Sequence, residues 1–271
     1  MSNPDIVFIG GGNMAVSLIG GLLEKGFPAS KLSVCEPVAE TRQRLEKDFG
    51  ITSSPDNAIA GKADVVVLAV KPQIMPLVAT ELAPVVAHQP LIISIAAGIT
   101  VAALKNWLGS NTPLVRCMPN TPALVQQGAT GLFASPEVSP EQRALAESII
   151  SAVGTAIWFD TELDIDRVTA LSGSGPAYFF LVMEAMENAG VKLGLDRDIA
   201  RELTIQTALG AAAMASQGDI EPAELRRRVT SPGGTTQSAI KAFTDGGLAE
   251  LFEEAMQAAF QRSIEMADEA N

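Results

Sequence analysis

The sequence predicts an α/β fold, a doubly wound and mostly parallel sheet, followed by an all-helical C-terminal segment. Three observations predict it. Short apolar runs alternate with helical patterns up to residue 160, as parallel strands joined by crossover helices do. Two of these runs, "ADVVVLAV" at 63–70 and "LIISIAAG" at 91–98, are continuous rather than alternating, the pattern of strands buried on both faces. Beyond Asp160 no strand-length Val/Ile run appears, and helical patterns cover 162–190, 196–217, 221–229 and 247–269.

Taken in order, "IVFIG" (6–10) is a strand ending in glycines, and "NMAVSLIGGLLEKG" is a helix with Gly26 as its C-cap. "KLSVCE" (31–36) is the next strand, and a polar helix covers 38–48. After the two continuous runs comes the strand "PLVRCMPN" (113–120). "ATGLFAS" (129–135) and "GTAIWFD" (154–160), flanking a helix at 140–152, complete the sheet. The change of character sets two expected domains, 1–160 and 161–271.

Charge excludes some functions. Lys and Arg number 19 against 31 Asp and Glu, a net charge of −12, which repels nucleic acid and anionic lipid. The "RRR" at 226–228 then reads as a solvated helix face or a local anion contact rather than a nucleic-acid patch. No apolar run reaches the roughly 18 residues of a membrane span. The opening "MSNPDIVFIGGGN" lacks the basic start of a signal peptide, so a cytoplasmic location is expected. Two cysteines, Cys35 and Cys117, cannot build a thiolate metal site and lie in strand-like runs; no metal is expected.

Gly10, Gly12 and Ala15 form G-x-G-x-x-A between a strand and a helix, the context in which this motif signifies a dinucleotide site of Rossmann type. Gly10 permits the tight turn, Gly12 admits the pyrophosphate, and Ala15 allows close helix-on-strand packing. Glu36 ends the second strand, where an acid can accept from ribose hydroxyls; Arg42 and Arg44 stand near enough to offset a 2′-phosphate, so NADH and NADPH both remain open. The carboxyl ends of parallel strands nominate "AVKP" (69–72), "AAG" (96–98) and "MPN" (118–120) as further cofactor wall.

The single histidine, His88, precedes a strand and so lies at the wrong end of the sheet. Tyr178, the single tyrosine, has Val182 rather than lysine four residues on. The usual groups for moving an alcohol proton are therefore missing, which suggests an acceptor that carries its own proton, as an iminium ion does. A second site is expected in "VTSPGGTTQSAI" (229–240), where a Gly-Gly turn opens a helix and can seat a small anion on its N–H groups. The helical segment carries wide apolar faces with small residues, for which helix-to-helix dimerisation is the outlet.

The blocks "FIGGGNMA", "AVKPQ", "SIAAGIT", "RCMPNTPALV", "ALSGSGPAYFF" and "SPGGTT", in this order over essentially the whole chain, resemble the pyrroline-5-carboxylate reductase family. The resemblance implies reduction of the C=N bond of 1-pyrroline-5-carboxylate by NADPH or NADH to give L-proline, the last step of proline biosynthesis. It implies a homodimer, with decamers in some relatives. It places the imine in the 231–236 loop: Thr235 and Thr236 N–H groups hold the carboxylate, the Thr236 hydroxyl meets the ring nitrogen as the catalytic contact, and Ser231 and Gly234 shape the pocket. Asp219 matches an acid near the ring nitrogen, or caps the helix ahead of Pro222. Cofactor contacts fall on Ile9, Gly10, Gly11, Gly12, Asn13 and Met14, on Asn57, on Ala69, Val70, Lys71 and Pro72, on Ile95, Ala96 and Ala97, and on Glu162. Lys71 reads either as a proton donor or as a residue fixing the loop under the nicotinamide. Ser172, Ser174 and Pro176 read as scaffold that kinks or tightly packs the long helix. Glu36 departs from the small residue many relatives carry, which bears on NADPH use.

Two rivals are weighed. A β-hydroxyacid dehydrogenase would need a helix lysine near the substrate carbon, and Lys192, at a helix end between Gly190 and Gly194, is the candidate. A non-catalytic nucleotide-sensing module would predict no turnover and no use for Thr236.

Overall fold

Alternation of side chains along a strand sends Ile6 and Phe8 to one face and Val7 and Ile9 to the other, and all four are buried. That two-sided burial organises the chain, which is described for residues 3–218 and 220–270 by a computed structural model. The strands are β1 (Ile6–Ile9), β2 (Leu32–Cys35), β3 (Thr52–Ser54), β4 (Val65–Leu68), β5 (Leu91–Ser94), β6 (Leu114–Met118), β7 (Gly128–Ala134) and β8 (Gly154–Trp158). They form one sheet in the order β3-β2-β1-β4-β5-β6-β7-β8. Every pairing is parallel except β6 with β7.

Helices α1 (Asn13–Glu24), α2 (Ala39–Phe49), α3 (Met75–Leu82), α4 (Val101–Leu108) and α5 (Pro140–Ile150) cover the two faces. Leu18, Ile19 and Leu22 of α1 and Ile149 and Ile150 of α5 pack with Phe8, Val67 and Ile93 on one face. Met75, Ala79 and Leu82 of α3 and Leu104 of α4 pack with Ile9, Leu68 and Ile92 on the other. Burying each such side chain contributes roughly 1.5–3 kcal/mol.

The remaining helices are α6 (Leu163–Val168), α7 (Gly175–Lys192), α8 (Arg197–Ser216), α9 (Pro222–Arg228), α10 (Thr235–Asp245) and α11 (Leu248–Ala270). The chain forms two compact units, one reaching Ser174 and resuming at Ala258, the other running from Gly175 to Gln257. The sequence's change of character sits near residue 160, whereas the division of units falls after Ser174. Unit membership also changes within α11, at Gln257.

Two local expectations differ from the structure. The helix expected over 162–190 is interrupted: α6 passes into a π turn at Thr169–Gly173, where the Ser174 N–H reaches back to the Thr169 carbonyl at 2.8 Å. The Thr169 and Ser172 hydroxyls both donate to carbonyls four residues earlier, side-chain bonds that bend helices. The edge strand β3, "TSS", falls outside the expected strands because it is three residues long and polar.

Candidate active site

Gly10 stands where β1 meets its two neighbours. Its N–H donates to the Cys35 carbonyl of β2, and the Ala69 N–H after β4 donates to the Ile9 carbonyl, both at 2.8 Å. Sheet order reverses between these strands, the crevice where open α/β sheets bind ligands. Gly10 has φ +101°, and a Cβ there would lie 2.8 Å from the Ala69 carbonyl oxygen. A side chain at Gly12, in contrast, would meet nothing within 4 Å. Gly12 is the N-cap of α1 and makes no side-chain bond to the first amides of the helix. An uncapped helix start beside an open glycine fits the diphosphate of a dinucleotide.

Glu36, after β2, is fixed by two backbone donors: Gly11 N–H to Oε2 and Val38 N–H to Oε1, each at 2.9 Å. Arg42 Nη1 donates to the carbonyls of Glu36 and Pro37 at 2.7 and 2.9 Å. The carboxylate therefore stands against the glycine turn, and the arginine is bonded to the loop that carries it. Asn57 opens the short helical stretch Asn57–Lys62, whose N-cap Asp56 accepts from Ala58 N–H. Val70 and Pro72 are half-buried and Lys71 exposed in the segment following β4.

After β5, the Ile95 N–H donates to the Leu68 carbonyl at 3.2 Å. The segment Ile95, Ala96, Ala97 then turns through Gly98 at φ +71° to reach Thr100, the N-cap of α4. Glu162 Oε1 accepts from the Val101 N–H at 2.8 Å and from Arg116 Nη1 at 3.1 Å. Arg116, buried within β6, also meets Asp166 at 2.9 Å, and Asp166 accepts from the Ser263 hydroxyl at 2.8 Å. Sequence reading passed over Arg116, although a charge inside the apolar run "LVRCM" is a visible signal. Asp166 and Ser263 had no comparable signal, because their partnerships span 50 and 97 residues. Asn120 was also missed as an individual residue; its side chain joins the Ser172 carbonyl to the Ala129 N–H, each at 2.9 Å.

In the second unit, the Gly234 N–H donates to the Ser231 carbonyl at 3.0 Å, with Gly233 at φ +72°. Pro followed by a left-handed glycine at the centre of such a bond is the pattern of a type II turn. The Gly233 N–H is taken by Gln237 Oε1 at 2.6 Å. Gly234 is the N-cap of α10 and supplies no side-chain bond, so the first turn at Thr235 and Thr236 has no side-chain cap. Ser231 and Thr235 are exposed, Gly234 and Thr236 half-buried. Asp219 lies outside the described residues.

The structure thus gathers the residues around Gly10, Glu36, Ala69 and Ile95 along one edge of the first unit's sheet, and Ser231 to Thr236 in one turn of the second unit. His88 is exposed, its Nε2 2.9 Å from the Ala63 carbonyl. Cys35 and Cys117 are buried, and burial pushes the Cys35 thiol up to about 11 and the Cys117 thiol further. No helix among the described residues is long and apolar enough to cross a membrane.

Residues 162–266 match the family described as pyrroline-5-carboxylate reductase dimerisation, and residues 5–98 the one described as NADP oxidoreductase, coenzyme F420-dependent. The pyrroline-5-carboxylate reductase of Pseudomonas aeruginosa is 57% identical over 270 residues, 99% of each chain. A solved pyrroline-5-carboxylate reductase from Coxiella burnetii superposes with a TM-score of 0.94 at 45% identity, over 98% of this chain and 99% of that one. The Plasmodium falciparum pyrroline carboxylate reductase, solved with NADP bound, superposes at 0.87 with 29% identity, over 98% and 99%. Fold and glycine turn define the class, a dinucleotide-dependent oxidoreductase. Within it, the chain belongs to the pyrroline-5-carboxylate reductase family.

Proposed function

We infer that the protein reduces 1-pyrroline-5-carboxylate to L-proline with NAD(P)H. The observation that carries the reading is near-full-length identity of 57% to a pyrroline-5-carboxylate reductase, with both glycine turns in place. The glycine turn at Gly10, Gly11 and Gly12 and the amides of Asn13 and Met14 hold the diphosphate. Glu36 receives the adenosine ribose, with Asn57 just after the neighbouring strand β3. Ala69 to Pro72 and Ile95 to Ala97 form the nicotinamide wall, with Lys71 and Glu162 fixing loops rather than moving protons. When bound, the reduced dinucleotide supplies a hydride for the C=N carbon.

The chain's own contribution is binding and orientation. Ser231 and Gly234 shape the imine seat, and Asp219 stands among its candidate contacts. The Thr235 and Thr236 amides grip the carboxylate at the start of α10, where backbone donors and helix dipole both favour an anion. The Thr236 hydroxyl orients the ring nitrogen, which arrives protonated and needs no histidine or tyrosine to supply its proton. We place the dinucleotide-binding domain in residues 1–160 and the substrate-binding and dimerisation domain in 161–271. The working form is a homodimer that can assemble into decamers, in the cytoplasm.

Thr236→Ala tests the seat. Losing a hydrogen bond to a charged group costs about 1.5–3 kcal/mol, so kcat/KM for the imine falls about tenfold or more while the KM for NADH holds. Unchanged imine kinetics would remove Thr236 from its role.

A further inference from the structure

The strongest unexplained feature of the first unit is a buried charge cluster away from the glycine turn. Arg116 is 1% exposed in β6, between Ser94 of β5 and Phe133 of β7 in register. It is paired to Glu162 and Asp166, four residues apart and so on one face of α6's first turns. Its Nε, also buried, has no partner among the described residues. Buried ion pairs contribute little net stability compared with apolar groups of similar shape, because desolvation offsets attraction; what they fix is geometry.

The geometry fixed here leads to one loop. Glu162 Oε1 holds the Val101 N–H at 2.8 Å, the first amide of α4 and the end of the 95–100 segment. The other end is held by Ile95 N–H on the Leu68 carbonyl. The middle is pressed by α11: a Cβ on Gly98 would sit 3.0 Å from Met266 Cβ. The same helix is tied to the cluster by Ser263 on Asp166. The segment therefore has three anchors, one of which is a charge-assisted bond whose acceptor is itself steered by Arg116.

We propose that Arg116 and Glu162 are positioning residues for dinucleotide binding: Arg116 orients the Glu162 carboxylate, and Glu162 holds the 95–100 loop through the Val101 amide. This rests on the assignment of Ile95 to Ala97 to the cofactor wall. Glu162 thus acts on the dinucleotide through the loop, and Arg116 through Glu162.

Val101→Pro isolates the link. Proline is favoured at the first position of a helix, and Thr100, at φ −80° and ψ 159°, already has the extended conformation a residue before proline needs. The substitution removes the N–H and sets the ring Cδ in its place, so the Glu162 carboxylate must turn away from the loop, while none of the buried charges is deleted. Titrating reduced-nicotinamide fluorescence, Kd for NADH is expected to rise about tenfold in Val101→Pro and in Glu162→Gln, with imine KM within about twofold of wild type. Ser263→Ala, at the far end of the cluster, is expected to lower Tm and leave Kd within about twofold. A folded Val101→Pro protein with wild-type Kd would overturn the proposal. A wild-type protein that binds neither NADH nor NADPH would instead fail the cofactor assignment, and the proposal with it.

Discussion

We expect Glu36 to bias the choice between NADH and NADPH. Its carboxylate is locked by the Gly11 and Val38 amides, and Arg42 is bonded to carbonyls of the same loop. A 2′-phosphate brought to this strand end would face a fixed negative charge, whereas ribose hydroxyls would find an acceptor. Glu36→Ser is therefore expected to raise the NADPH-to-NADH ratio of kcat/KM about tenfold, equivalent to about 1.4 kcal/mol; steady-state kinetics with both dinucleotides measures it, and an unmoved ratio would separate Glu36 from the choice. The cysteines give a second residue-level expectation. Thiolate is the reactive form, and burial holds Cys35 up to about 11 and Cys117 higher. Neither should take up iodoacetamide at pH 8 in the native protein, and both should once it is unfolded, as mass spectrometry would register.

At the scale of elements, the two glycine turns differ in what they tolerate. Gly10 combines φ +101° with a would-be Cβ contact of 2.8 Å to backbone oxygen, while Gly233 at φ +72° has open space around it. Gly10→Ala should cost well over the roughly 1–2 kcal/mol of a left-handed residue and abolish NADH binding. Gly233→Ala should cost about that amount, keep NADH binding and weaken imine use. Tm and titrations separate the two. The same contrast explains what sequence discloses. β4 and β5 were legible because two-sided burial leaves a continuous apolar run, and the glycine turn because its spacing has a steric cause. β3 was illegible, being short and polar at the sheet edge. The π turn was illegible as such because it depends on Ser and Thr hydroxyls bonding to particular carbonyls, and the antiparallel sense of β7 because pairing direction leaves no mark in composition. The Arg116 cluster joins residues distant in sequence, and only its central charge left a visible signal, one that was passed over.

Over the whole molecule, the second unit carries apolar surface that its own helices leave uncovered. Phe179, Phe180 and Leu181 of α7 and Leu209 of α8 are each more than 60% exposed, and the match to a dimerisation family spans them. Self-association is the physical outlet for such a face. Phe180→Glu with Leu209→Glu should lower the mass seen by light scattering to that of a smaller species; an unchanged mass would place the interface elsewhere. The proposed reaction rests on transfer of one hydride from the reduced dinucleotide to the imine carbon. Its most direct measurement is incubation of the protein with [4-²H₂]NADH and 1-pyrroline-5-carboxylate, followed by mass spectrometry and NMR of the product. The expected product is L-proline with one deuterium on C5, the former imine carbon. Oxidation of the dinucleotide without proline, or proline lacking deuterium there, would contradict it.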